Sequence, residues 1–418
     1  MLLAAVWLQG CASYGDWVEQ MEHRLADGDY PAALAVLEQE GRAGRDALLY
    51  LLNRGLLLRM AGDLRGSNAA FEAAKTRMDY LDTLSLSEQA GALAVNELAR
   101  SYTAEDYERM LVYVFEALNY LELGEAQEAR VELMQLDEWM TRRGEEAGAF
   151  GRYFSGLVFQ ALGEWDQALV AYRKAYRAYQ DYPPGAGVTM PATLEDALLT
   201  TSARLGLRDE AARYRADFGH GARETDEAGA EVVFILCSGL APVKHESRID
   251  AVTKEGILVT VALPYYEDRR PHVEGAVLTG DGRHARAEMV EDINALAMDA
   301  LARARPVMLA RALARAALKA VAVEKTDEKD EGLGFLANVV SVMSERADTR
   351  SWSLLPNRIY LLRLPLPAGS HELRLRLQDG AGRLVASRDY ALTLKAGEMR
   401  FLGLHWVDDE DVTGRTRH

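Results

Sequence analysis

A short phrase that recurs along the first half of the chain restricts what this chain can fold into. The phrase is a glycine, an alanine or serine five positions later, and a large apolar side chain four positions after that. It begins at Gly28, Gly62, Gly124 and Gly163, with a weaker copy at Gly206. Recurrence of this kind predicts repeated pairs of packed helices, because one repeat cannot bury its apolar face alone.

Each position of the phrase has a physical reason. The glycine permits the turn between paired helices, the small residue lets the helices approach closely, and the large residue fills the groove between neighbours. The spacing from Gly28 to Gly62 is 34 residues, which is the period of a tetratricopeptide (TPR) repeat. Residues 15–220 are therefore expected to form a TPR-like α-solenoid, and this resemblance implies a curved surface that binds peptides or protein segments.

Tyrosines at helical spacing in this region have two interpretations. They either line the inner groove and bind a partner, since tyrosine is enriched at interfaces, or they pack between repeats. Packing is favoured, because each repeat must bury a face against its neighbour. Tyr176 and Tyr179 are the two that we expect to be partly exposed, and they are candidate partner-binding residues.

The N-terminus predicts a lipid anchor. Residues 1–11 combine an apolar stretch with Leu8-Gln9-Gly10-Cys11, which resembles a bacterial lipobox with Cys11 as the acylated residue. Gln9 replaces the more usual alanine or serine, and no basic residue precedes the stretch. Ala12 after the cysteine favours the outer membrane, periplasmic face. The alternative is a cytosolic protein in which Cys11 is an ordinary thiol.

The formal net charge of −16 argues against a nucleic-acid partner, because phosphate binding depends on clustered lysine and arginine. It is compatible with a protein partner that carries a basic patch.

After a polar boundary at residues 219–230, residues 230–407 are predicted to form a β-rich, sandwich-like domain. The apolar run Val232 to Leu236 is typical of a buried strand. Leu373, Leu375 and Leu377 alternate with polar residues, which indicates a strand with one buried face. This last stretch is expected to form a small antiparallel sandwich. The fold class is thus α+β and multidomain.

A helical insertion is expected within the β-rich domain, at residues 290–323. Asp292 can cap its start and Pro306 can begin a second helix. Leu309 and Leu313 share one face, which we expect to pack on a sheet; the alternative is contact with a membrane surface. Residues 408–418 are interpreted as an acidic, solvated tail.

The segment Ala347-Asp348-Thr349-Arg350-Ser351-Trp352, followed by Leu355-Pro356, resembles an uncharacterised family of proteobacterial TPR-containing lipoproteins. The resemblance covers nearly the whole chain and implies a protein of the cell envelope without an established activity. Asp348, Arg350 and Trp352 are candidate partner-binding residues. The favoured alternative is structural, with Asp348 paired to Arg350 or Arg346 and Trp352 filling a gap between helices and sheet.

The sequence contains few patterns typical of catalysis, metal binding or phosphate binding. The eight histidines lack metal-binding spacing, and no phosphate-binding glycine loop occurs. We therefore expect no cofactor, no metal and no enzymatic activity. The predicted function is a membrane-anchored periplasmic scaffold that binds protein partners in a cell-envelope assembly. The alternatives are a peptidoglycan- or carbohydrate-binding lipoprotein and a hydrolase without a recognisable motif.

Overall fold

The structure is a computed structural model, and it describes residues 14–39, 44–92, 100–143, 148–183, 186–221, 229–252, 258–327 and 346–413. The predicted signal segment 1–11, with Cys11, lies outside the described residues.

The first half consists of helices joined in antiparallel pairs. The pairs are α1 (Tyr14–Ala26) with α2 (Tyr30–Gln39), α3 (Ala47–Met60) with α4 (Leu64–Ala92), α5 (Asp106–Glu122) with α6 (Ala126–Arg143), α7 (Ala149–Ala161) with α8 (Trp165–Gln180), and α9 (Ala192–Arg204) with α10 (Arg208–Phe218). Each of the five recurring glycines lies in the turn of one pair with φ between 72° and 85°, a conformation that favours glycine. The helical-pair prediction is confirmed.

Close packing within the pairs explains two further glycines. A Cβ at Gly55 would lie 2.4 Å from the ring of Phe71, and one at Gly156 would lie 2.2 Å from the ring of Tyr172. Phe71 and Tyr172 are the large residues of the recurring phrase, and both are fully buried. In these two pairs, the large residue of the phrase is therefore the side chain that fills the space beside the first helix.

The second half contains ten strands and two helices in the described residues. These are β1 (Ala230–Ser238), β2 (Val243–Val252), β3 (Leu258–Glu267), β4 (Gly275–Gly280), β5 (Arg283–Arg286), β6 (Glu288–Asp292), α11 (Ile293–Asp327), β7 (Arg358–Leu366), β8 (Gly369–Gln378), β9 (Leu384–Leu394), β10 (Met399–Trp406) and α12 (Asp409–Thr413). They form a central sheet of order β10-β1-β7-β6, an outer sheet of order β5-β4-β8-β9 and a separate β2–β3 hairpin.

The expectation of an antiparallel sandwich is only partly correct. β1 pairs antiparallel with β7 but parallel with β10, so the central sheet is mixed. The long connection from β1 to β10 passes through the outer sheet, and only such a crossover can place two strands side by side in the same direction.

Three layers result, with the central sheet in the middle. Val233 and Ile235 face the helices and belong to the same hydrophobic core as α5 and α7. Val232 and Phe234 face the opposite way, into the core between the two sheets. Because both faces of β1 are covered, its sequence is a continuous apolar run rather than an alternating one.

The helical array was expected to have an open inner surface. In the middle of the array, at α5 and α7, this expectation is wrong. The central sheet packs there, with β10 on α5 and β6 on α7. Residues all around both helices are consequently buried, including Glu108, Asn119 and Arg152. A helix buried on every side is enclosed between layers, not part of a groove wall.

The helical insertion also differs from the prediction. α11 is one continuous helix with Pro306 inside it, and Asp292 accepts a 2.8 Å hydrogen bond from the backbone N–H of Ala295 at its start. The helix packs on the hairpin through Met308 and Ala312. Leu309 and Leu313, which were expected to pack inward, are exposed.

The C-terminal stretch is not simply a solvated tail. Residues 409–413 form α12, which packs against α1. Asp411 is buried and accepts a 2.8 Å hydrogen bond from the backbone N–H of His272, while Val412 joins the main core. Asp411 thus joins α12 to the segment that follows β3.

Candidate functional site

The segment that contains Asp348, Arg350 and Trp352 lies where the β-rich half meets α3, α4 and α5. Trp352 is 1% exposed, and its ring lies 6.0 Å from that of Phe71 and 6.4 Å from that of Phe115, edge-on to both. Edge-on aromatic packing adds to the free energy gained by burying the rings. Trp352 thus fills the gap between helices and sheet, and its side chain offers no surface to a partner.

Arg350 fixes the same segment through charge. Its guanidinium donates to Asp348 at 2.7 Å, to Asp46 at 2.6 Å and to the backbone carbonyl of Arg100 at 3.0 Å. Burial by itself lowers the pKa of Arg350, but the two carboxylates outweigh it and raise that pKa above its usual range. The arginine therefore stays charged and joins the segment to the residues before α3.

Sequence reasoning missed the residue that receives this segment. Glu108 is fully buried and accepts hydrogen bonds from the backbone N–H of Trp352 at 3.0 Å, the backbone N–H of Glu105 at 2.9 Å and the hydroxyl of Tyr102. Burial raises the pKa of Glu108 to about 7, against these three hydrogen bonds. The spacing Glu105-x-x-Glu108 at the start of α5 is a capping box, and that pattern was the available signal.

A second contact between the halves surrounds Gly403 on β10. A Cβ there would lie 2.4 Å from Nη2 of Arg59 and 2.6 Å from Oε1 of Glu122. Arg59 donates to Glu122 at 2.7 Å and to Nε2 of His405 at 3.3 Å. Burial, and then the charge of Arg59, hold the pKa of His405 well below its usual value, so the imidazole is a neutral acceptor.

The two candidate tyrosines do not lie near this segment. Tyr179 is 6% exposed, not partly exposed as expected, and its hydroxyl donates to the backbone carbonyl of Val290 at 2.9 Å. Tyr176 is half-buried and packs edge-on against Tyr214 and Phe218. Both have the packing role that the sequence analysis favoured for tyrosines of this region.

One group of carboxylates could in principle hold a metal ion. Glu72, Glu116 and Glu132 offer ligand atoms within 4.8 Å of one another. The ammonium of Lys75 lies among them, at 2.8 Å, 2.9 Å and 2.6 Å respectively. A buried cation is thus already present, and burial raises the pKa of Glu116 to about 9. We interpret the group as a structural charge cluster.

The outer sheet carries a groove with a volume of about 490 Å³. It is lined by Thr279, Arg283, His284, Glu372 and Arg374, with Asp389 among others. Arg374 is already paired with Asp389 at 2.7 Å. Exposed aromatic rings in a shallow groove are typical of carbohydrate-binding modules, and His284 is the sole ring on this lining.

Cys237 and Ser238, at the end of β1, have structural roles. Cys237 is buried, and burial raises the pKa of its thiol to about 12, so the reactive thiolate does not form near neutral pH. Ser238 donates its hydroxyl to the backbone carbonyl of Val273 at 2.6 Å, as a strand-end serine does.

The exposed large apolar side chains are distributed unevenly. In the helical half they lie on the second helix of a pair or in a turn: Tyr80, Val131, Met134, Val170 and Leu207. A second group lies on α11 and the hairpin: Ile249, Tyr265, Met298, Val307, Leu309 and Leu313. Over the described residues, no helix has the length and apolar character that crossing a bilayer requires.

Comparisons with known proteins do not identify a family for this chain. No protein-family model matches the chain, and no curated protein matches it. Among solved structures, a crystal structure of the MamA protein is 17% identical and covers 48% of this chain and 86% of its own, with a TM-score of 0.31. A MamA structure from Desulfovibrio magneticus RS-1 is 14% identical and covers 49% and 89%, with a TM-score of 0.30. At these TM-scores the likeness carries no argument about function.

Proposed function

We propose that this protein is a lipid-anchored scaffold of the bacterial cell envelope, outer membrane, periplasmic face, which binds a protein partner on the outer surface of its helical array. The anchor is Cys11, as the lipobox predicts. The proposal is a binding function and not catalysis.

The observation that carries it is the placement of the exposed apolar side chains. The central sheet packs on α5 and α7, the first helices of their pairs. The second helices of these pairs, α6 and α8, therefore form the outer surface of the array. On α6, Val131 is 48% exposed and Met134 is 47% exposed. They lie three positions apart and therefore on one helix face, where adjacent apolar side chains typically mark a contact for another protein.

Charge indicates the chemistry of the partner. Residues 1–228 contain 37 acidic and 22 basic residues, whereas residues 229–418 contain 27 acidic and 26 basic ones. Nearly all of the net charge of −16 thus belongs to the helical half. On α6 itself, the exposed carboxylates Glu128 and Glu138 flank Val131 and Met134. The complementary partner is a protein segment that combines basic and apolar side chains.

A matched pair of variants tests this proposal. Val131→Gln with Met134→Gln removes the apolar contact on α6 without changing charge, and glutamine keeps the helix propensity. Leu309→Gln with Leu313→Gln makes the same change on α11 and serves as the control. Each full-length protein is cross-linked in solubilised envelopes, and the cross-linked peptides are identified by mass spectrometry.

The expected result is a basic peptide cross-linked to α6, lost in the α6 variant, retained in the α11 variant, and weakened by added salt. Recovery of the same cross-links from the α6 variant would contradict the proposal. Acylation of Cys11 is checked separately, from the mass of the N-terminal peptide.

For the alternative of a carbohydrate- or peptidoglycan-binding protein, the groove on the outer sheet is a candidate binding site. Stacking of sugar rings on aromatic side chains is the expected basis of such binding. Because the lining offers one imidazole and mostly charged side chains, we favour the protein partner.

A further inference from the structure

The outer face of α11 is apolar over much of its length. Leu313 is 53% exposed, Leu309 is 39% exposed and Met298 is 38% exposed. With 3.6 residues per turn, Met298, Leu309 and Leu313 fall on one stripe. Ala302, Pro306 and Ala317 lie on the same stripe and are exposed as well.

α11 has apolar residues on both of its sides. Ala312 is 1% exposed and packs with Met308 on the hairpin, and Leu296 near the start of the helix is 8% exposed. Leu309 and Leu313 point away from the protein instead. Exposing large apolar side chains forgoes the stabilisation of burial, about 1.5–3 kcal/mol for a fully buried leucine, so this face suits an apolar surrounding rather than water.

The charges on α11 indicate which kind of apolar environment suits this face. Between residues 300 and 323 the helix carries Arg303, Arg305, Arg311, Arg315 and Lys319 and no acidic residue, while Asp299 lies at the edge of the stripe, at the same angle as Ala317. At 100° per residue, Arg305 borders the apolar stripe on one side and Arg303 on the other. Both are exposed, and Arg303 also pairs with Asp299 at 2.7 Å. An apolar stripe bordered by arginines is the pattern of a helix that lies in the headgroup region of an anionic bilayer.

The start of α11 lies close to α1. Arg269, just after β3, donates to Glu22 of α1 at 2.7 Å, and its neighbour Asp268 accepts a hydrogen bond from the side chain of Asn294 in α11. Cys11 precedes the start of α1 by three residues, which span at most about 10 Å of extended chain.

We propose that α11 lies along the surface of an anionic phospholipid bilayer, with Met298, Leu309 and Leu313 below the headgroups and Arg303 and Arg305 at the lipid phosphates. The orientation of the whole protein rests on the proposed anchor at Cys11, whereas the lipid affinity of α11 does not. Two contacts with the membrane, the anchor and the helix, would fix the direction in which the helical array faces the partner.

The test uses full-length protein with Cys11→Ser, which cannot be acylated, floated with phospholipid vesicles. One set of vesicles contains phosphatidylglycerol and the other contains phosphatidylcholine alone. The variants are Leu309→Gln with Leu313→Gln, and the control Val131→Gln with Met134→Gln, which removes two equally exposed apolar side chains from α6. Because the N-terminal segment is common to all proteins, its own lipid affinity cancels in the comparison.

The expected result is preferential flotation with phosphatidylglycerol, reduced about tenfold or more by the α11 substitutions, weakened by salt and unchanged by the α6 substitutions. Equal flotation of all variants would overturn the proposal. So would an α11 variant that floats normally but loses a cross-linked protein from envelopes, because this face would then bind protein. Either failure leaves the α6 cross-linking test of the scaffold function intact.

Discussion

The backbone N–H of Trp352 donates a 3.0 Å hydrogen bond to Oε1 of Glu108, which joins the segment before β7 to the first turn of α5. Glu108 also completes the capping box of that helix, so a single buried carboxylate closes the helix end and receives the β-rich half. The helical array and the β-rich half therefore share one hydrophobic core.

Trp352→Ala should destabilise the protein by about 3–5 kcal/mol, because the cavity between Phe71 and Phe115 cannot close. Urea unfolding followed by circular dichroism measures the loss. Tyr80→Ala is the matched control: Tyr80 is 51% exposed, and its replacement should change the free energy of unfolding by no more than about 0.5 kcal/mol. A loss for Trp352→Ala as small as that of the control would show that the two halves do not pack on this side chain.

Gly403→Ala should destabilise the protein by about 1–3 kcal/mol, because the added methyl group meets Glu122 and Arg59, and Arg59 is held in place by its hydrogen bonds. Arg59 is buried and bonded to Asn119, Glu122 and His405. Gly275→Ala is the control, since Gly275 also lies in a strand but a Cβ there would meet nothing within 4 Å. Thermal unfolding of the two variants gives the comparison, and equal midpoints would contradict the close approach of β10 to the helices.

Glu291→Gln should weaken the dependence of stability on pH. Glu291 is fully buried against Tyr182, and burial raises its pKa from 4.5 to about 8. Between these values the unfolded chain loses a proton that the folded chain keeps, so the stabilisation is complete below 4.5 and is lost as the pH rises through about 8.

Glutamine keeps the acceptor for Tyr182 without the charge. Between pH 4.5 and 8 the free energy of unfolding should therefore fall less steeply with rising pH in this variant than in the native protein. The difference in slope should be up to about 1.4 kcal/mol per pH unit. Denaturant titrations at several pH values measure this slope, and the exposed Glu128→Gln should leave it unchanged. An unaltered slope in the Glu291 variant would mean that another group is responsible.

The helical half could be predicted because its signals are local. Each turn glycine needs a positive φ, and each phrase residue contacts a side chain within the same helix pair, as Phe71 does with Gly55. Alternation in β8 was equally readable, since Leu373 and Leu375 are buried while Arg374 is exposed.

The covered inner surface could not be predicted in the same way. It depends on contacts between residues hundreds of positions apart, such as Arg59 with His405, and no local pattern encodes which sheet a helix face will meet. Apolar residues all around α5 and α7 were the available sign of enclosure. The direction of α11 on the hairpin was misread for a related reason, because an amphipathic pattern does not state which face turns toward the protein.

Lys75→Met should destabilise the protein by about 3–5 kcal/mol near neutral pH, because the carboxylate of Glu132 would remain buried without a cation. Burial raises the pKa of Glu116 to about 9, so that carboxyl group is already protonated near neutral pH. The loss should be smaller at acidic pH, where Glu132 also binds a proton and no longer needs the ammonium. Lys174→Met is the control, since Lys174 pairs with Asp137 at 2.6 Å but both side chains are partly exposed, and such a pair contributes about 1 kcal/mol or less. Urea titrations of both variants at acidic and at neutral pH distinguish the two cases. If the Lys75 variant lost as little as the Lys174 variant, the three carboxylates would have to be satisfied by something other than this lysine.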